Sequence, residues 1–134
     1  MSSPKKRYGF WVERPDRYSQ TVGTEHTVEG EIELCKNALH ASPTIKEADA
    51  HIRVKAGRNV ALVAISGDVK DGKYKPKGGK LTYKKFGGRN RTVLAKVVID
   101  AVPSDKKKGD FFKNLEKLLN GHAAFNEKYK NFSV

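Results

Sequence analysis

Residues 59–66 read Asn-Val-Ala-Leu-Val-Ala-Ile-Ser, an almost unbroken apolar run bounded by Gly57-Arg58 and Gly67-Asp68. Eight residues are too few for a membrane-spanning helix, and valine and isoleucine recur, so the run predicts a strand covered on both faces. Residues 92–102 (Thr-Val-Leu-Ala-Lys-Val-Val-Ile-Asp-Ala-Val) predict a second strong strand. With 134 residues and 37 % of them apolar, the chain has material for one modest core and one domain.

The remaining elements follow from local chemistry. Residues 8–12 are rich in aromatics and read as a first strand, broken by Arg14-Pro15-Asp16. Residues 20–28 read as loop with short extended pieces, and Glu29-Gly30 as a turn. Residues 31–34 alternate polar and apolar, which predicts a half-buried strand. Ser42-Pro43 opens a helix to about His51, with Ser42 as its N-cap and Ile45, Ala48 and Ile52 on its apolar face. Gly67-Asp68 and Asp71-Gly72 are turn signals. Residues 81–86 form a shorter strand, and Gly87-Gly88 are placed to close a hairpin onto residues 92–102. Residues 103–109 read as a linker. Asp110 is placed to cap a helix to Asn120 with Phe111, Phe112, Leu115, Leu118 and Leu119 in one stripe, and Gly121 to end it. Residues 123–132 predict a last short helix anchored by Phe125, Tyr129 and Phe132. The expected fold is α+β: a small mixed or antiparallel sheet, one short helix after the His40 strand, and C-terminal helices packed on the sheet. Residues 1–102 carry the core, and residues 103–134 belong to the same domain.

Charge is the main guide to function. Lys70, Lys73, Lys75, Lys77, Lys80, Lys84, Lys85, Arg89 and Arg91 face Asp71 alone, so residues 70–91 hold a net +8 of the chain's +12. Tyr74, Tyr83, Phe86 and five glycines are interleaved with them. Lysines neutralise phosphates and release counterions, glycines admit close backbone approach, and aromatic rings stack on unpaired bases. The segment therefore predicts a basic hairpin for a polyanion: DNA, RNA or an acidic protein surface. A solvated hairpin whose lysines protect an edge strand is the plainer alternative. Lys106, Lys107 and Lys108 are candidates to extend the same surface. Gly78-Gly79-Lys80 is not a phosphate-binding P-loop, because Leu81 stands where Ser or Thr is needed and Tyr74 where the first glycine belongs.

Catalytic signals are sparse. Cys35 is the one cysteine, which excludes an intrachain disulfide and fits a reducing compartment. Cys35 and His40 are five residues apart, and an odd separation in a strand points them to opposite faces. His26, His51 and His122 lack the paired spacing of zinc ligands. No apolar stretch reaches membrane-spanning length, and the basic N-terminus (Pro4-Lys5-Lys6-Arg7) lacks the apolar region of a secretory signal. No metal, cofactor or membrane partner is expected.

The stretch from Gly30 to Ser42 (GEIELCKNALHAS) resembles the opening of a small domain of unknown function common in bacteriophage and phage-derived proteins. Glu33, Cys35, Leu39, His40, Ala48, Gly67, Asp68 and Val69 match that pattern over about residues 22–102, and Ala38 replaces its glycine. The resemblance implies a phage origin and an α+β fold, and no established activity. The step from Leu39 and His40 to Ala48 also looks like the start of ADP-ribosyltransferase and RNA 2′-phosphotransferase domains. That likeness implies a histidine, His40, that helps hold NAD, and a late polar partner, for which Asp100, Glu116 and Glu127 are the candidates. The leading expectation is a non-enzymatic accessory protein of the host-cell cytoplasm that binds a polyanion and regulates or inhibits a host nucleic-acid machine. A virion component and an ADP-ribosyltransferase-like enzyme are the alternatives.

Overall fold

A computed structural model describes residues 6–16, 19–34, 38–125 and 130–133. In chain order the elements are β1 (Arg7–Glu13), β2 (Glu25–Thr27), β3 (Leu39–Ala41), α1 (Ile45–His51), β4 (Asn59–Ser66), β5 (Lys70–Tyr74), β6 (Tyr83–Gly88), β7 (Asn90–Val98), α2 (Asp105–Phe125) and β8 (Lys130–Ser133). The fold is α+β, as the sequence predicts, with the strands divided between two sheets.

The apolar run at residues 59–66 becomes β4, at the centre of the first sheet, whose order is β1-β4-β7-β2. These strands pair antiparallel, while β8 joins β7 in parallel along the edge that β2 leaves open. Alternation along β4 serves both faces. Val60 and Leu62 pack with Phe10, Val12, Ile45, Ala48, Phe112, Leu115 and Leu119, under the helices. Ala61, Val63 and Ile65 pack with Ala41, Phe86 and Val93, under the second sheet. In β7 the register slips: Leu62 pairs with Ala95 but Val63 with Val93. Leu94 is the extra residue of a β-bulge, so Val93 faces one core while Ala95 and Val97 face the other.

The second sheet has the order β3-β6-β5, antiparallel throughout. One isolated bridge joins it to the first: Phe10 and Ser42 exchange backbone hydrogen bonds of 2.8 and 2.9 Å. The basic hairpin therefore pairs β5 with β6, not β6 with β7. Gly87 and Gly88 lie inside β6, and Arg89 alone carries the chain from one sheet to the other. Asp71 and Gly72 likewise lie within β5 rather than in a turn. Residues 31–34 are not a strand. Ile32 is buried there, its carbonyl accepts from Lys70 Nζ at 2.7 Å, and Leu34 packs on the second sheet. A methyl group on Gly72 would lie 2.5 Å from Leu34, and one on Gly87 3.0 Å, so these glycines seat an apolar side chain rather than a ligand.

Both helices start elsewhere than their cap signals predict. Thr44, not Ser42, caps α1: its hydroxyl accepts from Glu47 N at 3.2 Å, while the Ser42 backbone is taken by the bridge to Phe10. Residues 105–109 are helical rather than a linker, Asp110 lies inside α2, and the helix runs through Gly121 to Phe125. Two helical glycines each cost about 1 kcal/mol against alanine. Burial of Phe112, Leu115 and Leu119 against the sheet offsets that. Residues 130–133 form a strand instead of the helix their aromatic spacing predicts, because β7 offers them an open edge; residues 126–129 lie outside the described residues. No helix among the described residues is long and apolar enough to cross a membrane.

Candidate nucleic-acid interface

Pairing within the hairpin sorts its side chains. Lys73 stands opposite Lys84, and Tyr74 opposite Tyr83. Successive residues point to opposite faces, so the lysine pair occupies one face and the tyrosine pair the other. Beyond them, Lys75, Lys77 and Lys80 are exposed in the connecting loop. Gly78 has open space around it and a φ of 80°, which only glycine takes without strain.

The tyrosine face looks into a cleft of about 630 Å³ between the hairpin, α1 and the first turns of α2. Lys46 and Arg53 enter it from the α1 side, Lys77 from the hairpin and Lys108 from α2, around Tyr74 and Tyr83. Its two carboxylates are engaged: Asp49 accepts from Val54 N at 2.8 Å and pairs with Arg53, and Asp105 pairs with Lys108 at 3.3 Å. The fold thus brings part of the lysine run at 106–108 against the hairpin. Lys46 and Arg53 are additions that the sequence hides, because nothing there shows which face of a short helix looks at a hairpin more than twenty residues away.

Not every basic residue of the segment is presented to solvent. Lys70, Lys73, Lys75, Lys77, Lys80 and Lys84 are exposed. Lys70 is tied to the Ile32 carbonyl, and Arg89 to Asp68 at 2.7 Å and to the Val28 carbonyl at 3.0 Å. Lys85 and Arg91, which the sequence also assigns to the binding face, are buried. The Arg91 guanidinium stacks 3.5 Å from the Trp11 ring centre and donates to Gln20 Oε1 and to the His40 carbonyl. It holds the two sheets together where β3 crosses β7.

His40 borders a crevice with Trp11, His51 and Lys85. The His40 and His51 rings are 6.2 Å apart, His51 meets the edge of Tyr74 at 4.9 Å, and Lys85 Nζ lies 5.8 Å from that ring. Burial, then the charges of Lys85, His51 and Arg91, lower the His40 pKa to about 4. Burial and the charges of Lys85 and Arg14 also lower that of His51. Both rings are therefore neutral in the fold at neutral pH. The unfolded chain takes up these protons near pH 6.5, so stability falls as pH drops from about 6.5 towards 4. Allowing for solvent screening at a half-buried site, His40 accounts for about 1–2 kcal/mol of that fall. Urea midpoints followed across this range should decline, and the decline should be shallower in His40→Gln.

The crevice has room for about 20 Å³, one water, so a dinucleotide does not fit beside His40 in this conformation. Of the late carboxylates, Glu116 accepts from Ile45 N at 2.7 Å at the start of α1, Asp100 is exposed after β7, and Glu127 lies outside the described residues, as does Cys35. Among the described residues no group of three or more His, Cys, Asp or Glu stands ready for a metal ion. Compared with known protein families, with characterised proteins and with solved structures, the chain matches none.

Proposed function

We propose that this protein binds nucleic acid along its phosphate backbone, without reading base sequence, through the β5–β6 hairpin and the cleft beneath it. The observation that carries the reading is the convergence of Lys46, Arg53, Lys77 and Lys108, from three separate elements, around the Tyr74–Tyr83 pair. Cations gathered in one cleft neutralise phosphates, and two rings at the same site give unpaired bases a surface to stack on. Regulation of a host nucleic-acid machine is the role such a small basic protein would serve.

Fluorescence anisotropy with labelled single-stranded DNA and RNA, read against salt, tests this. Affinity should fall steeply between low and moderate salt, and removing a lysine that neutralises one phosphate should reduce the log–log slope by about 0.7. In Lys46→Gln/Lys77→Gln/Lys108→Gln we expect at least about a tenfold loss at low salt, with the melting temperature little changed because Lys46 and Lys77 are exposed and the Lys108–Asp105 pair is a surface ion pair. Absence of binding to both polymers at low salt would overturn the reading and leave an acidic protein surface as the partner to seek.

A further inference from the structure

The lysine face of the hairpin has its own cavity, distinct from the cleft. It measures about 580 Å³, within the range of small-molecule sites, and is bordered by Arg7, Pro43, Asp71, Lys73, Lys84 and Phe86. Two features give it a chemical character. The first is the pair Lys73 and Lys84, directly opposite each other on antiparallel strands. Like charges in that position repel, and an anion between them removes the repulsion. The second is Arg7. Its guanidinium pairs with Asp71 and lies 5.0 Å from the centre of the Phe86 ring, which is itself buried. An ion pair on one side and a ring beneath hold the guanidinium at this rim, while 46 % of the Arg7 side chain stays exposed. A flat, partly exposed cation is a stacking platform for a base.

We infer that this cavity seats one nucleotide, the base stacked on the exposed face of Arg7 and the phosphate held between Lys73 and Lys84. The inference rests on the nucleic-acid reading for its class of ligand, and adds to it a place for a single unpaired residue outside the cleft. Asp71 does not repel the phosphate, because Arg7 already neutralises it.

Calorimetry of the full chain with ADP, pyrophosphate and adenosine as separate probes tests it. ADP should bind at least about tenfold more tightly than either fragment, because only ADP engages both features. Lys73→Gln/Lys84→Gln should weaken ADP about tenfold or more. Arg7→Lys keeps the charge and loses the plane, so it should weaken ADP and leave pyrophosphate unchanged. In the unsubstituted protein, amide shifts induced by ADP should centre on residues 71–73 and 84–86, a readout that needs no variant to fold. Equal affinity for ADP and pyrophosphate, shifts confined to the cleft, or no binding of ADP at millimolar concentration would each overturn the inference. The two readings fail separately: Lys46→Gln/Lys77→Gln/Lys108→Gln should weaken the polymer and spare ADP.

Discussion

A Lys96→Met variant should lose about 3–5 kcal/mol of folding stability, a large share of the total available to a domain of this size. The reason is Glu13, which is fully buried in the first sheet. Lys96 Nζ donates to both of its carboxylate oxygens, at 2.9 and 2.8 Å, Gln20 N donates at 2.8 Å and Asn59 Nδ2 at 2.6 Å. Every lone pair aimed into the protein is used, and the one full positive charge among these donors is Lys96. Methionine fills the same volume but leaves a carboxylate out of water with neutral donors only. Removing both charges is a different experiment. Glu13→Gln/Lys96→Met keeps a hydrogen-bonding group at position 13 and leaves no ion behind, so it should recover most of the loss. Urea denaturation at neutral pH measures both. A single variant within about 1 kcal/mol of the parent would show that the pair is not what holds this region.

Phe86→Ala should cost a similar amount, about 3–5 kcal/mol. The ring is 1 % exposed and joins Ala41, Ala61, Val63, Ile65 and Val93 between the two sheets. It sits where Gly9 has no side chain: a methyl group on Gly9 would lie 2.6 Å from its Cζ and 2.7 Å from the Ser42 carbonyl oxygen. Gly9→Ala alone should therefore cost about 1–3 kcal/mol by overpacking. The same substitution should cost less once Phe86 is alanine, because half of the clash is gone. Thermal or chemical melts of the four proteins form a cycle. Strict additivity would mean that the ring and the glycine do not form one packing unit.

How much of the fold is legible in the sequence depends on what each feature needs in order to be seen. The central strand is legible because an apolar run of eight residues has few other uses, and α1 and the apolar stripe of α2 because helical periodicity is local. The limits of the helices are not. Ser42 carries the better N-cap signal, but its backbone is claimed by a bridge to Phe10, a partner more than thirty residues away. Gly121 has the chemistry of a helix stop, and tertiary packing of Leu119 just before it overrides that signal. The pairing of the basic hairpin is hidden for a similar reason. Gly87-Gly88 has the composition of a turn, yet in the fold Gly87 makes room for Leu34, which no local rule connects to it. Among the site residues, exposure separates side chains of identical chemistry: Lys84 reaches solvent and Lys85 does not, since adjacent strand residues face opposite ways. Lys46 and Arg53 join the candidate site only through the topology, which also brings Lys108, a candidate from the sequence, against the hairpin.

The bulge at Leu94 has a consequence for the binding face. A regular strand keeps one phase, with odd positions on one side and even on the other. In β7 that phase reverses midway, so its first half is locked to the core shared with the second sheet and its second half to the core under α2. Since β6 runs into β7 through Arg89 alone, the hairpin inherits its angle from the first half, while α2 inherits its position from the second. Two of the three walls of the basic cleft, the hairpin and α2, are thus set by opposite ends of one strand. A one-residue deletion in β7 would put these walls out of step without touching a single lysine, which makes the length of this strand, more than its composition, the geometric gauge of the cleft.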